Sequence, residues 1–396
     1  MYPHRIHLRG PWDCEPLTRS TIHADGRIEV IDGALPPACR LNMPCRWATG
    51  GLGLFSGQVR FRRRFQWPSA IDYYERLWLA FHGVDYFASV HLNGIELGQH
   101  AGAFDPFEFD ITGIVQPRNE LTVEVELPAT HPDAASQQRL VRGGQACPDR
   151  NGGLWGNVQV EVRREAFLRN VRLAADFSGP HPALHVRGEA VGAVDHPLEL
   201  YVLVDGDTLI YQRIPATPEG SAFHVSEPVA GAERWWPQGL GSPRLYEVQI
   251  DLIDRASKLD TRTLPFGFRV LAHPGAMLQS ESGRDPEVLL EGDSRITPVR
   301  LDLPGPVLEC PWLEEADRQG KALLLHLPLQ GGYATDEAMT AEAVRQVRSI
   351  VVHLQHHPSI LAWQCHEDSK QGSAGLDRAI AAAIAELDPS RGCWVS

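Results

Sequence analysis

The chain has 396 residues, of which 43% are hydrophobic and 22% charged, and its formal net charge is −13. This length exceeds what one compact core usually organises and predicts two or three domains. The acidic balance, without any block of Lys or Arg, argues against nucleic acid and anionic membrane as partners. No apolar run reaches the roughly 20 residues that span a bilayer.

The first residues and the cysteines bear on the cellular compartment. The opening MYPHRIHLRG lacks the apolar stretch of a secretion signal. The seven cysteines are scattered, odd in number and without CxxC spacing, so they predict no disulfide framework. We therefore expect a cytoplasmic protein.

Residues 1–165 are predicted to be an all-β domain. Short alternating segments are separated by Gly and Asn, and the Asn93-Gly94 pair indicates a hairpin. Many short strands with frequent turns are typical of a sandwich or barrel. The polar, Gly/Pro-rich stretch 128–153 predicts a long loop, which is often functional. The predicted strands are Gln58–Phe65, Leu77–Phe81, Ala88–Leu92 and Leu121–Leu127.

One aromatic cluster falls in this region, in the sequence FDPFEFDIT (104–112). Clustered aromatic side chains usually pack together. We therefore predict that Phe104, Phe107 and Phe109 pack into the hydrophobic core of this domain. Asp105 and Asp110 are then predicted to be turn or cap carboxylates.

Residues 166–272 continue as short strands without helical periodicity. About a hundred residues of this kind predict an immunoglobulin-like β-sandwich. The predicted strands are Val171–Ala175, Leu184–Ala190, Leu198–Val204, Thr208–Ile214, Leu245–Ile253 and Arg262–Val270.

The pattern changes in residues 273–396, where apolar strands alternate with amphipathic helices. Such alternation indicates βα units on a parallel sheet. Buried strands are predicted at VLLEG (288–292), PVRLDLP (298–304), ALLLHLPL (322–329) and Ser359–Gln364, and helices at Leu313–Gln319, Asp336–Gln355 and Leu376–Leu387. The final CWVS resembles the start of one further strand.

Four motifs resemble glycoside hydrolase family 2, the family of β-galactosidases, β-glucuronidases and β-mannosidases. Residues 79–112 (LAFHGVDYFASVHLNGIELGQHAGAFDPFEFDIT) and 151–162 (NGGLWGNVQVEV) are similar to its N-terminal sugar-binding jelly roll. The segments RWWPQGLGSPRLYEV (234–248) and FGFRV (266–270) resemble the end of its immunoglobulin-like domain. HHPSILAW (356–363) resembles its fourth barrel strand. The resemblance implies a jelly roll, an immunoglobulin-like sandwich and a truncated parallel α/β domain like half a TIM barrel.

The resemblance also implies a catalytic site. Retaining members pair an acid with a carboxylate nucleophile about 5–5.5 Å away, and such barrels place both at the carboxyl ends of strands. Glu367 matches the acid/base position, and His366 replaces the preceding substrate-binding asparagine. Arg300 resembles an arginine at the end of strand 2, and Asp149 is placed like a jelly-roll carboxylate that reaches the sugar. No residue matches the nucleophile, because only 29 residues follow Glu367.

Neither a metal nor a cofactor is expected. His353, His356 and His357 share one helix face, but no carboxylate or Cys completes a tetrahedral set at that spacing. Their predicted role is to end the helix favourably, since partly charged His offsets the dipole there.

Three functions stay open on this basis. The first is a carbohydrate-binding pseudoenzyme that lacks the nucleophile, and the second is an active β-glycosidase that uses Glu367 with an unrecognised second carboxylate. The third is a structural or interaction protein without a sugar ligand, because fold alone does not settle function. Open edges of the predicted half barrel also favour a homodimer.

Overall fold

The protein is represented by a computed structural model. It describes residues 3–23, 27–53, 55–67, 71–129, 140–142, 152–269, 277–278, 287–289, 295–303, 305–329, 333–334, 336–365 and 374–394. The chain is multidomain and mostly β, as the sequence predicts. Among the described helices, none is long and apolar enough to cross a membrane.

The first region, called here the N-terminal sandwich, consists of two antiparallel sheets. One sheet has the order β1-β11-β6-β9, and the other has the order β3-β2-β5-β10-β7-β8 with β4 paired to β2. A short π-helical turn covers Ala48–Leu52. The strands are β1 His4–His7, β2 Gly10–Ile22, β3 Ile28–Ile31, β4 Cys39–Met43, β5 Gly57–Gln66, β6 Glu75–Phe81, β7 Phe87–Leu92, β8 Ile95–Ala101, β9 Phe107–Asp110, β10 Arg118–Leu127 and β11 Val158–Arg164.

The predicted strands of this region are confirmed, because their alternation fits the observed faces. In β10, for example, Leu121, Val123 and Val125 are buried while the residues between them are partly exposed. Asn93 and Gly94 form the turn between β7 and β8, with φ of 56° and 80°. The predicted loop 128–153 lies mostly outside the described residues.

The second region, called here the second sandwich, has its own core. A three-stranded sheet with the order β12-β13-β16 faces a four-stranded sheet with the order β15-β14-β17-β18. The strands are β12 Ala166–Asp176, β13 Ala183–Gly192, β14 Leu198–Val204, β15 Asp207–Ile214, β16 Ser221–Pro228, β17 Tyr246–Asp254 and β18 Ser257–Phe266. The six predicted strands are present, and β16 is an addition. The domain boundaries at residues 165 and 272 stay predictions.

The third region contains a parallel four-stranded sheet with the order β22-β23-β24-β25. Its strands are β22 Val299–Asp302, β23 Leu323–His326, β24 Ile360–Gln364 and β25 Cys393–Trp394, and its helices are α1 Pro311–Gln319, α2 Glu337–Leu354 and α3 Ala374–Leu387. Helix α1 begins with a proline at its first position and ends at Gly320, which has a left-handed conformation. Helix α2 is capped by the Asp336 side chain, which accepts a hydrogen bond from the Met339 amide at 3.0 Å.

One predicted strand of this region forms, but it does not lie in the parallel sheet. The VLLEG segment contributes β20 (Glu287–Leu289), which pairs antiparallel with β19 (Met277–Leu278) and β21 (Arg295–Ile296) instead of joining the parallel sheet. An apolar run identifies a buried strand but not its pairing partner. Antiparallel neighbours joined by short links compete with parallel pairing, which needs a long crossover.

The N-terminal sandwich and the parallel region share one hydrophobic core. Buried residues of both, such as Phe104, Val84, Val347 and Leu325, belong to the same cluster. Polar contacts reinforce this interface, because the Tyr86 hydroxyl donates to Glu342 of α2 at 2.9 Å and accepts from Gln346 at 2.6 Å. The two regions are therefore fixed relative to each other.

The aromatic cluster at residues 104–112 behaves only partly as predicted. Phe104 packs edge-on against Trp155, and Phe107 stacks on Phe81. Asp110 is a turn carboxylate that accepts from Thr112. Asp105 is not a cap, however, because its buried carboxylate pairs with Arg345 of α2 across the interface.

We predict that Arg345→Gln weakens this interface in a pH-dependent way. Burial raises the pKa of Asp105 to about 6, and Arg345 opposes the rise. Without Arg345 the pKa of this carboxyl rises further, so the buried anion destabilises the fold above that pKa and the penalty fades as pH falls through it. Chemical unfolding should show a loss of about 2 kcal/mol at pH 8 and a smaller loss at pH 5.

The matched control is Arg348→Gln on the same helix, whose partner Glu386 is 64% exposed. An exposed pair contributes little, so this variant should lose less than about 1 kcal/mol at either pH. Equal losses from the two variants would contradict the interface role of Arg345.

Candidate functional site

The carboxyl edge of the parallel sheet carries a row of polar side chains. Asp302, His326, Gln364 and Trp394 are cross-strand neighbours at the last positions of β22, β23, β24 and β25. Because side chains alternate along a strand, neighbours in register lie on the same sheet face. All four side chains can form hydrogen bonds, Trp394 as a donor only, which is unusual for the interior face of a parallel sheet.

The contact between Asp302 and His326 organises this row. The Nδ1 atom of His326 lies 3.0 Å from an Asp302 carboxylate oxygen. His326 is only 5% exposed, and its Nε2 atom has no hydrogen-bond partner among the described residues. A buried ring held by a carboxylate with its second nitrogen unused can donate to or accept from an added hydroxyl group.

Arg300 lies on the same face, two residues before Asp302. Its guanidinium sits over the Trp394 ring, 4.9 Å from the centroid. The resemblance suggested an arginine at the end of strand 2. The observed Arg300 lies two residues before the end of β22, opposite Leu324. Arg300 is nevertheless exposed and shares the face of the polar row.

The two other residues predicted at this edge, His366 and Glu367, lie outside the described residues. The preceding residue, Cys365, is fully buried, and its sulfur lies 2.9 Å from that of Cys393 in β25. Cys365 therefore lies at the carboxyl end of β24, on the edge that parallel barrels use for chemistry.

Loops of the N-terminal sandwich pack beside this edge. The segment that leaves β22 at its carboxyl end contacts them, because Glu309 accepts from the Asn157 amide at 2.7 Å and lies 2.8 Å from His82. A Cβ on Gly83 would lie 2.9 Å from the Trp155 indole nitrogen and 3.1 Å from Pro306. The sandwich is therefore held on the carboxyl side of the sheet.

A bidentate ion pair fixes the nearest of these loops. Arg142 donates to both Asp85 oxygens at 2.7 Å, and the Gly152 amide donates to one of them at 3.1 Å. Gly152 has φ of 63°, and a Cβ there would collide with Trp47 at 1.7 Å. The NGGLWG motif is thus explained by close packing as much as by ligand binding.

The predicted sugar contact Asp149 lies outside the described residues. Next to its loop, Arg46, Asp85, Arg142 and Trp155 line a cavity of about 10 Å³. That volume admits about one water molecule. The described part of this loop region therefore does not hold a sugar by itself.

The three histidines 353, 356 and 357 have separate environments. His353 Nδ1 lies 2.8 Å from the Ser349 carbonyl oxygen, and His357 Nδ1 lies 2.6 Å from Asp317. Burial lowers the pKa of His353 and of His356. The predicted role as charged helix ends is therefore wrong for these two. Among the described residues, no group of three His, Cys, Asp or Glu side chains can hold a metal.

Several residues of this site escaped the sequence reasoning. Asp302 and His326 were placed in strands but not assigned a role, and Asp85 was quoted only within a motif. One signal was available, since LLLH and VRLD each end an apolar strand on a polar residue. Their adjacency, however, depends on strand register, which the sequence alone did not specify.

Comparison with known families agrees with this architecture. Residues 55–169 match the model described as glycosyl hydrolase 2 galactose-binding domain-like, and residues 168–269 match glycosyl hydrolases family 2. The chain belongs to glycoside hydrolase family 2. The resemblance drawn from the four sequence motifs is thereby confirmed.

Individual relatives are distant. Beta-mannosidase B of Aspergillus clavatus is 23% identical over 385 residues, which cover 80% of this chain and 44% of that protein. Exo-beta-D-glucosaminidase of Streptomyces avermitilis is 22% identical over 354 residues, covering 74% and 38%. The chain thus spans less than half the length of these relatives.

Solved structures share the fold. A beta-D-mannosidase from Dictyoglomus thermophilum superposes with a TM-score of 0.75 at 16% identity, over 99% of this chain and 57% of that one. A family 2 beta-galacturonidase from Eisenbergiella tayi, bound to galacturonate, gives 0.74 at 18% identity, over 100% and 72%.

The neutral histidines predict a loss of stability in acid. A lowered pKa means that the folded state resists protonation, so stability falls as pH drops below about 6.5. Replacing His356 with Gln removes one such group. Urea unfolding should therefore show that His356→Gln stabilises the protein relative to wild type more at pH 5.5 than at pH 8.

His196 is the matched control with the opposite sign. Hydrogen bonds to Asp195 and Asp254 raise its pKa, so its contribution is present below about 6.5 and is lost as pH rises. His196→Gln should cost more stability at pH 5.5 than at pH 8. Identical pH trends for the two variants would contradict the assignment of neutral His356.

Proposed function

We propose that this chain binds a β-linked sugar, of the β-mannoside class, at the carboxyl edge of the parallel sheet. The proposed ligand contacts are Arg300, Asp302, His326 and Glu367, with His366 and Asp149 as further candidates. The β-mannoside class is supported by the relatives and the solved structure named β-mannosidase. The single observation that carries the proposal is the polar row ending in the Asp302–His326 contact.

The chemistry of this edge suits a sugar. Neutral sugars are recognised by many directed hydrogen bonds, and the row offers a carboxylate, an imidazole and an amide within neighbouring strands. Trp394 adds an aromatic face, although Arg300 covers one side of it. Family members of this fold use the same edge.

We further propose that the 396-residue polypeptide binds without hydrolysing, as a pseudoenzyme. Double displacement needs two carboxyl groups about 5–5.5 Å apart. At the four described strand ends, Asp302 is the one carboxylate, and it is engaged by His326. Glu367 could act as the acid, but no described residue of this edge is available as its nucleophilic partner.

The finer architecture forms part of this proposal. The N-terminal sandwich is assigned as a sugar-binding jelly roll, the second sandwich as immunoglobulin-like, and the parallel sheet as half of a TIM-type barrel. The two antiparallel sheets of the N-terminal sandwich support the jelly-roll assignment. The contacts of Glu309 and Gly83 support a role in sugar binding, since they hold sandwich loops beside the edge where the sugar would lie.

The proposal that the protein does not hydrolyse glycosides is tested by assaying p-nitrophenyl β-mannoside, β-galactoside and β-glucuronide as substrates. We expect release of nitrophenol by wild type to match that of Glu367→Gln within error, because one acid cannot complete the double displacement. Turnover that disappears in Glu367→Gln would instead establish the active glycosidase that uses this residue as acid/base.

Sugar binding is tested by calorimetry with methyl β-mannoside. We expect Arg300→Gln to weaken binding by roughly tenfold, because a charge-assisted hydrogen bond to the ligand is lost. The matched control is Arg318→Gln, an exposed arginine that pairs with Glu315 on α1. No measurable binding by the wild type would favour a purely structural role.

We also propose a homodimer. In the described sheet, β22 and β25 are the edge strands, and each pairs on one side only. Such edges invite pairing with another chain, and a two-fold axis would let like edges meet. Light scattering at micromolar concentration should give twice the 43.9 kDa chain mass. A single 43.9 kDa species would overturn the proposal.

A further inference from the structure

A second cavity lies far from the carboxyl edge, where the second sandwich meets the parallel region. It is called here the seam cavity and has a volume of about 490 Å³, within the range of roughly 300–1,000 Å³ typical of ligand pockets. On one side are residues 173–178, at the end of β12. On the other are residues 387–391, which precede β25 at the amino edge of the sheet.

Arginine side chains outnumber carboxylates around this cavity. Arg187 and Arg269 line it, and Arg172 lies directly across the strand pair from Arg187. None of the three makes an ion pair among the described residues. This cluster is notable in a chain whose net charge is −13.

The carboxylates near the cavity already have partners. Asp388 accepts from the Trp363 indole at 3.0 Å and from Ser390 at 2.7 Å, and it pairs with Arg391. Asp176 accepts from both the amide and the hydroxyl of Ser178. Neither carboxylate makes an ion pair with Arg172, Arg187 or Arg269.

Arg269 is the most informative of these residues. It is only 8% exposed, and it donates to neutral acceptors alone, the Ile360 carbonyl and, at 3.3 Å, the Ser390 hydroxyl. Its Nε atom has no partner among the described residues. Burial, with Arg391 nearby, lowers the pKa of Arg269. The carboxylates of Asp388 and Asp317 oppose this lowering without contacting Arg269. A buried guanidinium that no carboxylate contacts directly is costly, and a bound anion would reduce that cost.

The rest of the cavity wall is mixed, with His185, Gln355 and His356 among its polar residues and several apolar residues beside them. Leu173, Phe266, Pro358 and Leu387 contribute to it. Pockets of this composition bury the apolar body of a ligand and fix its polar end with a few convergent groups.

From this geometry we propose that the seam cavity binds a small organic anion. The ligand carries a carboxylate or phosphate head on an apolar body, with the head held by Arg269 and Arg187 and the body against the apolar residues of the wall. A planar guanidinium fits either head because it can donate two parallel hydrogen bonds. The site lies at the sheet edge opposite to the proposed sugar site, so it does not depend on that function.

The test is calorimetry on the full chain at low ionic strength with four probes: phenyl phosphate, phenylacetate, inorganic phosphate and benzyl alcohol. We expect one of the two aromatic anions to bind at least tenfold more tightly than benzyl alcohol and inorganic phosphate, and added salt to weaken it. Whichever anion binds identifies the head group. No binding by either anion at 10 mM (an order-of-magnitude limit for millimolar sites), or equal binding of benzyl alcohol, overturns the proposal.

Two variants locate the binding site. Arg187 is exposed and can be replaced without disturbing the core, so Arg187→Gln should weaken the anion by about tenfold. Ala174→Trp, also at an exposed lining position, should obstruct part of the cavity and weaken binding. Arg118→Gln, an exposed arginine of the N-terminal sandwich, is the matched control. Unchanged affinity in both lining variants would overturn the location, provided that circular dichroism shows both to be folded.

Discussion

The structure depends on the core that the N-terminal sandwich shares with the parallel region. A short parallel sheet normally needs cover on both faces, since its strands are apolar on both sides. Here α2 and the loops after β22 and β23 bury their apolar residues together with those of the sandwich. Hydrophobic burial is non-directional and does not by itself fix the relative position of the two regions. The Asp105–Arg345 ion pair and the hydrogen bond of the Tyr86 hydroxyl fix that position.

In this arrangement the carboxyl and amino edges of the parallel sheet differ in their polar and charged residues. At the carboxyl edge, sandwich loops fixed by Asp85 and Arg142 lie beside the polar row of Asp302 and His326. At the amino edge, the second sandwich leaves the seam cavity, in which Arg269 is buried without a carboxylate contact. On this difference we base the proposals of a neutral, hydroxyl-rich ligand at one edge and of an anion at the other.

Most secondary structure could be predicted from the sequence because it is local. The strand Leu198–Val204 follows from the alternation of apolar residues, and the helix predicted at Asp336–Gln355 follows from their helical spacing. Pairing was harder, as β20 shows, since an apolar run fits either orientation. The site was harder still: Asp302 and His326 meet only through strand register, and Asp105 finds its partner 240 residues away.

The neutral histidines illustrate the same limit. Their spacing on one helix face was readable, but their protonation depends on how deeply the neighbouring domains bury them. Likewise, Arg269 in FGFRV was visible as part of a motif. That no carboxylate among the described residues contacts it directly appears only once three regions are packed together. Charge environment is a property of the assembled fold, not of the segment.

The account rests most on the carboxyl edge as the sugar-binding surface, which hydrogen–deuterium exchange with saturating methyl β-mannoside tests directly. We predict slower exchange in peptides covering 298–303, 322–329 and 359–365, with the second sandwich unchanged. Protection confined to the second sandwich, or no protection anywhere, would contradict the assignment of this edge.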